Sequence, residues 1–169
     1  MTETPETPAA PADAAPLLDD LSNRLFFRLY QCTNMLHKTG TKALDDYGVT
    51  TQQWAVLGAL SRPGHEAGIA VSELARFLMV SRQNLTGVLS RMEAQGLIER
   101  RVSPSDSRSR LIRMTATGQD LWEHELRQRI ARFYAESLQG FSTADCIHMT
   151  HYLQKLLDNF RALDPEPHL

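Results

Sequence analysis

The run from Val71 to Gly118 constrains this chain more than any other. It reads VSELARFLMVSRQNLTGVLSRMEAQGLIERRVSPSDSRSRLIRMTATG, and hydrophobic spacing divides it into two short helices, a hairpin and a new helix start. In the first helix Leu74, Ala75 and Leu78 face inward, with Ser72 expected to cap it. In the second, Leu85, Val88, Leu89 and Met92 fall at i, i+3, i+4 and i+7, one apolar stripe, with Ser81 at the N-cap. Only the residues around Met79 and Val80 separate the pair, the spacing of a helix-turn-helix. Gly96 predicts the end of the second helix. A strand over Leu97 to Val102, a turn over Ser103 to Ser109 and a strand over Leu111 to Met114 then predict a hairpin, with Thr115 capping the next helix.

The face of the second helix opposite its stripe carries Gln83, Thr86, Gly87 and Ser90, with Asn84 beside them and Arg82 and Arg91 at the edges. Side chains of that size and polarity suit the donor and acceptor pattern of a DNA major groove. Gly87 weakens the helix but lets its backbone approach another surface closely. Charge points the same way once the chain is divided. Val71 to Thr115 holds eight basic and four acidic residues, a net of +4, against −6 for the remainder, although the whole chain sums to −2. The positive part coincides with the helix pair and hairpin, as contact with phosphates requires.

The flanks read as helix. Residues 1–16 hold four of the eight prolines with Ala, Thr and acids, the composition of a disordered leader. Over 17–47 a near-heptad stripe runs through Leu21, Leu25, Leu29, Cys32, Leu36 and Ala43, with Gly40 a weak point inside it. On that stripe Cys32 is expected to be an inert, buried thiol. Thr50 or Thr51 caps a helix with Trp54, Leu57 and Leu60 inward, a Pro- and Gly-containing loop spans Ser61 to Gly68, and Ile69-Ala70-Val71 is expected to pair as a third strand. A long helix from about Ala116 to Leu138 stops at Gly140, and Ser142 opens a last one through Leu163. The expected fold is therefore mainly α with a small β-wing: a winged helix-turn-helix over 48–115, with 17–47 and 116–164 forming a helical dimerisation region. The flanking helices are more apolar than one small core can use, so a symmetric homodimer is expected to bury them. Such a dimer sets two reading helices about one DNA turn apart, on a pseudo-palindromic site.

The motifs TTQQWAVLGAL at 50–60, VSELARFL at 71–78, SRQNLTGVLSRMEAQGLIERR at 81–101 and DSRSRLIRMTATG at 106–118 resemble the MarR family of bacterial transcription regulators. The resemblance runs from Leu17 to Leu163, and its most specific part is the D-x-R of the wing followed by L-x-x-x-T-x-x-G. It implies that Arg108 is a wing-tip arginine entering the minor groove, that Asp106 orients the wing arginines, and that Arg110 meets Asp106 or a phosphate. Ser81 suits a phosphate at a helix N-terminus. It further implies a regulator, expected to be a repressor, released when a small ligand binds where the dimerisation helices meet the winged helix. Activation stays open. The run FFRLYQCTNMLHKTGTKAL looks like branches that control aromatic-acid breakdown. Arg28 or His37 is then expected to meet a carboxylate or carbonyl of an aromatic acid or its coenzyme A thioester, among Phe26, Tyr30, Asn34 and Trp54.

Other classes are less well served. In the family's organic-peroxide branch a reactive cysteine stands in an L-C-F-x-L-Y context, where this chain has Leu25-Phe26-Phe27-Arg28-Leu29-Tyr30. A metal sensor would draw on Cys146, His148 and His151, with His124 a further candidate, but Cys146 does not share a helix face with the histidines. A protein-interaction module that has lost DNA binding would not need Arg82, Arg91, Arg108 and Arg110 on one surface. Phosphate loops, nucleophile elbows and metalloprotease pairs are missing, so no enzyme and no cofactor are expected. The start lacks a secretory signal and no apolar run is long enough for a bilayer, so the cytoplasm is the expected compartment.

Overall fold

The computed structural model describes residues 14–103 and 110–164, so most of the leader and the wing tip with Asp106 and Arg108 lie outside the described residues. The chain divides between Thr39 and Gly40 into two units. Helix α1 (Ala14–Ala43) makes up the described part of the first and runs a few residues into the second. It starts inside the segment expected to be leader, because Pro16 falls in the first turn, where a missing N–H leaves no intrahelical bond unmade. The helix passes through Gly40 without a break. Its apolar stripe is open: Leu21, Leu25 and Leu36 are each about half exposed and Cys32 is exposed, not buried as expected. The reason is local, since among the described residues of this unit no second helix covers the stripe.

In the second unit α1 ends at Ala43 rather than near Tyr47, and a single 3-10 turn over Asp45–Tyr47 comes next, with Leu44 and Val49 buried on either side of it. Helix α2 (Thr51–Leu60) has a full capping box: the Thr50 hydroxyl accepts from the Gln53 N–H and the Gln53 side chain accepts from the Thr50 N–H. Strand β1 (Ile69–Ala70) runs straight into α3 (Val71–Leu78), so Ala70 and not Ser72 is the N-cap, without a side-chain cap. Helix α4 (Arg82–Ala94) buries the whole predicted stripe, Leu85, Val88, Leu89 and Met92. Strands β2 (Ile98–Val102) and β3 (Arg110–Met114) form the hairpin. β3 lies between its two neighbours, with Ile112 opposite both Ile69 and Arg100. Val71, expected in the third strand, is instead the first residue of α3. Ile112, Leu57, Leu74, Leu89 and Met92 are at most 1 % exposed and form the centre of the core.

Thr115 caps the next helix as predicted, but the helix is not uniform. α5 (Ala116–Leu121) passes through one π turn (Trp122–Leu126) into α6 (Arg127–Ser137). Trp122, Leu126 and Ile130 recur every four residues, a spacing that drifts around an α-helix. The wider turn, with the Arg127 N–H reaching the Trp122 carbonyl, brings Leu126 and Ile130 into the core together. Tyr47 donates to Glu125 at 3.0 Å and Arg129 pairs with Asp46 at 3.3 Å across the same place. The hydrogen bond to Glu125 raises the Tyr47 phenol above its ordinary value.

Helix α7 (Thr143–Leu163) opens with a second capping box, in which the Ser142 hydroxyl accepts from the Asp145 N–H. The hydroxyl and the backbone N–H of Ser142 donate to the Asp145 carboxylate and hold it below its usual range. Ser142→Ala is expected to lower stability by about 1 kcal/mol, read from the midpoint of urea unfolding followed by helical circular dichroism. Among the described residues no helix is long and apolar enough to cross a membrane.

Candidate nucleic-acid interface

The polar face is positioned by a short connection. Met79 ends α3 in the left-handed conformation (φ 54°), a posture usually left to Gly or Asn that costs a methionine about 1 kcal/mol. It turns the chain so that the Val80 N–H reaches the Ala75 carbonyl at 3.1 Å and Ser81 starts α4. The Ser81 hydroxyl accepts from the Asn84 N–H at 3.2 Å, which leaves its own proton to donate outward. At the other end Gly96 (φ 71°) closes a Schellman motif: the Leu97 N–H reaches Met92 and the Gly96 N–H reaches Glu93.

With both ends tied and the stripe buried, Ser81, Arg82, Gln83, Asn84, Thr86, Gly87, Ser90 and Arg91 are all exposed on one side. The Thr86 hydroxyl donates to the Arg82 carbonyl at 2.7 Å, so its free lone pairs face outward as acceptors. Neither Arg82 nor Arg91 pairs with a carboxylate among the described residues, and both guanidinium groups are available to an anion. Arg110 is exposed at the start of β3, opposite Val102 at the end of the ladder far from α5. Asp106 and Arg108 lie outside the described residues.

Arg100 on β2 joins this surface without having been singled out from the sequence. Its guanidinium donates to the Ser90 hydroxyl at 3.2 Å and pairs with Glu93 at 3.3 Å, bracing the wing against α4. The signal available was strand alternation, which sets Arg100 on the same face of β2 as buried Ile98, the face turned toward α4.

Gly87 is not required by the fold. A Cβ added there would meet only the end of the Arg91 side chain, at 3.8 Å, and the backbone is ordinary helix. Gly118 is the opposite case, because a Cβ there would overlap the Leu97 carbonyl oxygen.

The expected ligand residues divide between the two units, with Phe26, Arg28, Tyr30, Asn34 and His37 on α1 and Trp54 on α2. At 100° per residue Phe26, Tyr30, Asn34 and His37 share one face of α1, while Arg28 lies about 160° around from Tyr30 and donates to Gln31 at 3.1 Å. Trp54 belongs to the other unit, where it packs against Phe133 (5.9 Å, edge-on) and Tyr134 (5.5 Å). Among the described residues no three His, Cys, Asp or Glu side chains converge as metal ligands. His148 and His151 instead lie against Tyr152.

Known proteins resemble this chain over the same region. A sequence profile described as the MarR family matches residues 47–109, which contain α2, α3, α4 and β2. The transcriptional activatory protein BadR of Rhodopseudomonas palustris is 55 % identical over 152 residues, covering 90 % of this chain and 87 % of that protein. The homoprotocatechuate degradative operon repressor of Escherichia coli is 30 % identical over 118 residues, 66 % of this chain and 72 % of that one. Among solved structures, that of the S. aureus MepR–DNA complex superposes with a TM-score of 0.71 at 20 % identity, over 79 % of this chain and 96 % of that one, a likeness of fold.

Proposed function

This chain belongs to the MarR family of DNA-binding transcriptional regulators, and on that premise we propose that it works as a homodimer on a pseudo-palindromic operator, under the control of a small aromatic effector. The observation that supports this most is α4 itself. Four apolar residues anchor it in the core, its opposite face is small, polar and exposed, and two arginines without a carboxylate partner among the described residues flank that face. Dimerisation is supported by apolar side chains that each unit leaves in water. On α1 these include Leu25, Phe27 and Tyr30, and on α7 Ile147, Tyr152 and Leu163, the last 81 % exposed.

The effector class rests on likeness. One relative is named for the operon that degrades homoprotocatechuate, an aromatic acid. An aromatic acid or its coenzyme A thioester is therefore the proposed signal. The more similar relative is named an activatory protein, so the sign we propose is activation rather than the repression expected from sequence. The effector acts by binding one DNA-related conformation better than the other, which shifts the population of both.

The test is a fluorescence-anisotropy titration on the intergenic DNA beside the protein's own gene, repeated over a range of salt. Tight binding with a steep salt slope is expected. Arg82→Ala, Arg91→Ala and Arg108→Ala should each reduce that slope by about one unit. Binding whose slope none of the three alters would refute the assignment of this face.

A further inference from the structure

In the second unit a cleft of about 600 Å³ opens between the loop after α2, helix α3 and the far end of α7. Its apolar lining includes Ile69, Phe77, Met79 and Leu157, and Arg62, Arg76 and Arg161 stand with His65 against one carboxylate, Glu73. Phe77 is 47 % and Met79 50 % exposed, although the same helix buries Leu74 and Ala75 completely. The Arg62 guanidinium stands 4.9 Å from the centre of the Phe77 ring. Arg161 is held by Asp158 at 3.0 Å, whereas Arg62 and Arg76 have no carboxylate partner among the described residues. A half-exposed aromatic ring beside two guanidinium groups that no carboxylate among the described residues neutralises is a complement for one kind of molecule, a flat apolar ring carrying a negative charge. The volume is within the range that holds small-molecule ligands.

We propose that this cleft is the effector site, taking an aromatic anion whose ring lies along Phe77, Met79 and Leu157 and whose charge meets Arg62 and Arg76. The assignment rests on the proposed effector class and draws on residues of the second unit instead of those of α1, whose aromatic face has no arginine. It also supplies a route to DNA. Met79 lines the cleft and is the left-handed turn residue, two positions before Ser81, so an occupant that shifts Met79 shifts the N-terminus of α4. The aromatic anion has two sources, the free acid and its thioester, and both are tested.

The experiment is calorimetric titration of the full-length protein with benzoate and, separately, with benzoyl-coenzyme A, beside Arg76→Gln, Arg62→Gln and Phe77→Leu. Each variant is checked first for unchanged effector-free DNA affinity and unchanged dimer mass. Expected is binding of at least one probe to the native protein, weakened about tenfold or more by either arginine change, the loss of one charge-assisted hydrogen bond. Weakening for benzoate identifies the free acid, and weakening only for the thioester identifies the larger ligand. Probe binding that all three variants leave intact places the effector elsewhere and overturns the site. So does the absence of binding by either probe, or a variant that changes the dimer equilibrium but not the ligand, since a second copy then covers the cleft. Native protein that fails to bind DNA at all is a separate result, and it overturns the regulator reading instead.

Discussion

Gly118→Ala is expected to destabilise the protein by about 3 kcal/mol or more, the upper range for overpacking a closed site. Gly118 is buried in the first turn of α5, and the added methyl would occupy the space of the Leu97 carbonyl oxygen. The obstacle is backbone and cannot rotate away. It is also committed elsewhere: Leu97 accepts from the Thr115 N–H at 3.1 Å, while the Thr115 hydroxyl donates to the Gly96 carbonyl at 2.6 Å. Relief would require α5 to move off and break bonds that join it to the end of α4. Urea unfolding of the full chain measures the effect, with a lower midpoint and an unchanged slope as the expected result. A loss below about 1 kcal/mol would show that α5 can slide.

Gly87→Ala should act in the reverse sense on stability and strongly on function. The fold has room for the methyl, and replacing a mid-helix glycine stabilises by about 0.5–1 kcal/mol. DNA affinity should nevertheless fall about tenfold or more, because the methyl stands between the α4 backbone and the surface it approaches. No charge is removed, so the salt slope should stay as in the native protein. A more stable protein that binds its operator more weakly, with the same slope, is a combination that general damage cannot produce. Unchanged affinity would move the closest approach to another part of α4.

What the sequence made legible were features encoded locally. The stripe from Leu85 to Met92, the caps at Ser81, Thr115 and Ser142, a cap at Thr50 or Thr51 and the stop at Gly96 all depend on residues within a few positions of one another, and the hairpin joins strands that follow each other in sequence. The features missed depend on distant residues. The π turn is a response to the core around Leu126 and Ile130, with Tyr47 holding Glu125 in the turn from 78 residues away and Asp46 holding Arg129 just after it from 83 residues away. Met79 accepts an unfavourable backbone because the α3–α4 packing requires the turn there. The exposure of Cys32 comes from the absence of a covering helix among the described residues of its unit, which no local pattern reveals. Arg28 is a neighbour of Phe26, Tyr30 and His37 in sequence, but 100° per residue sets it on another side of α1.

The bond from Thr115 to Leu97 and the ladder beyond it hold Val102 opposite Arg110, so the connection between those two residues is an excursion that starts and ends at fixed points. Lengthening such an excursion raises its closure entropy by only about 0.6 kcal/mol per doubling. The wing tip is thus free to gain, lose or exchange residues over evolutionary time while α4 and α5 keep their register, and a lineage can change what its wing touches without first having to rescue its fold.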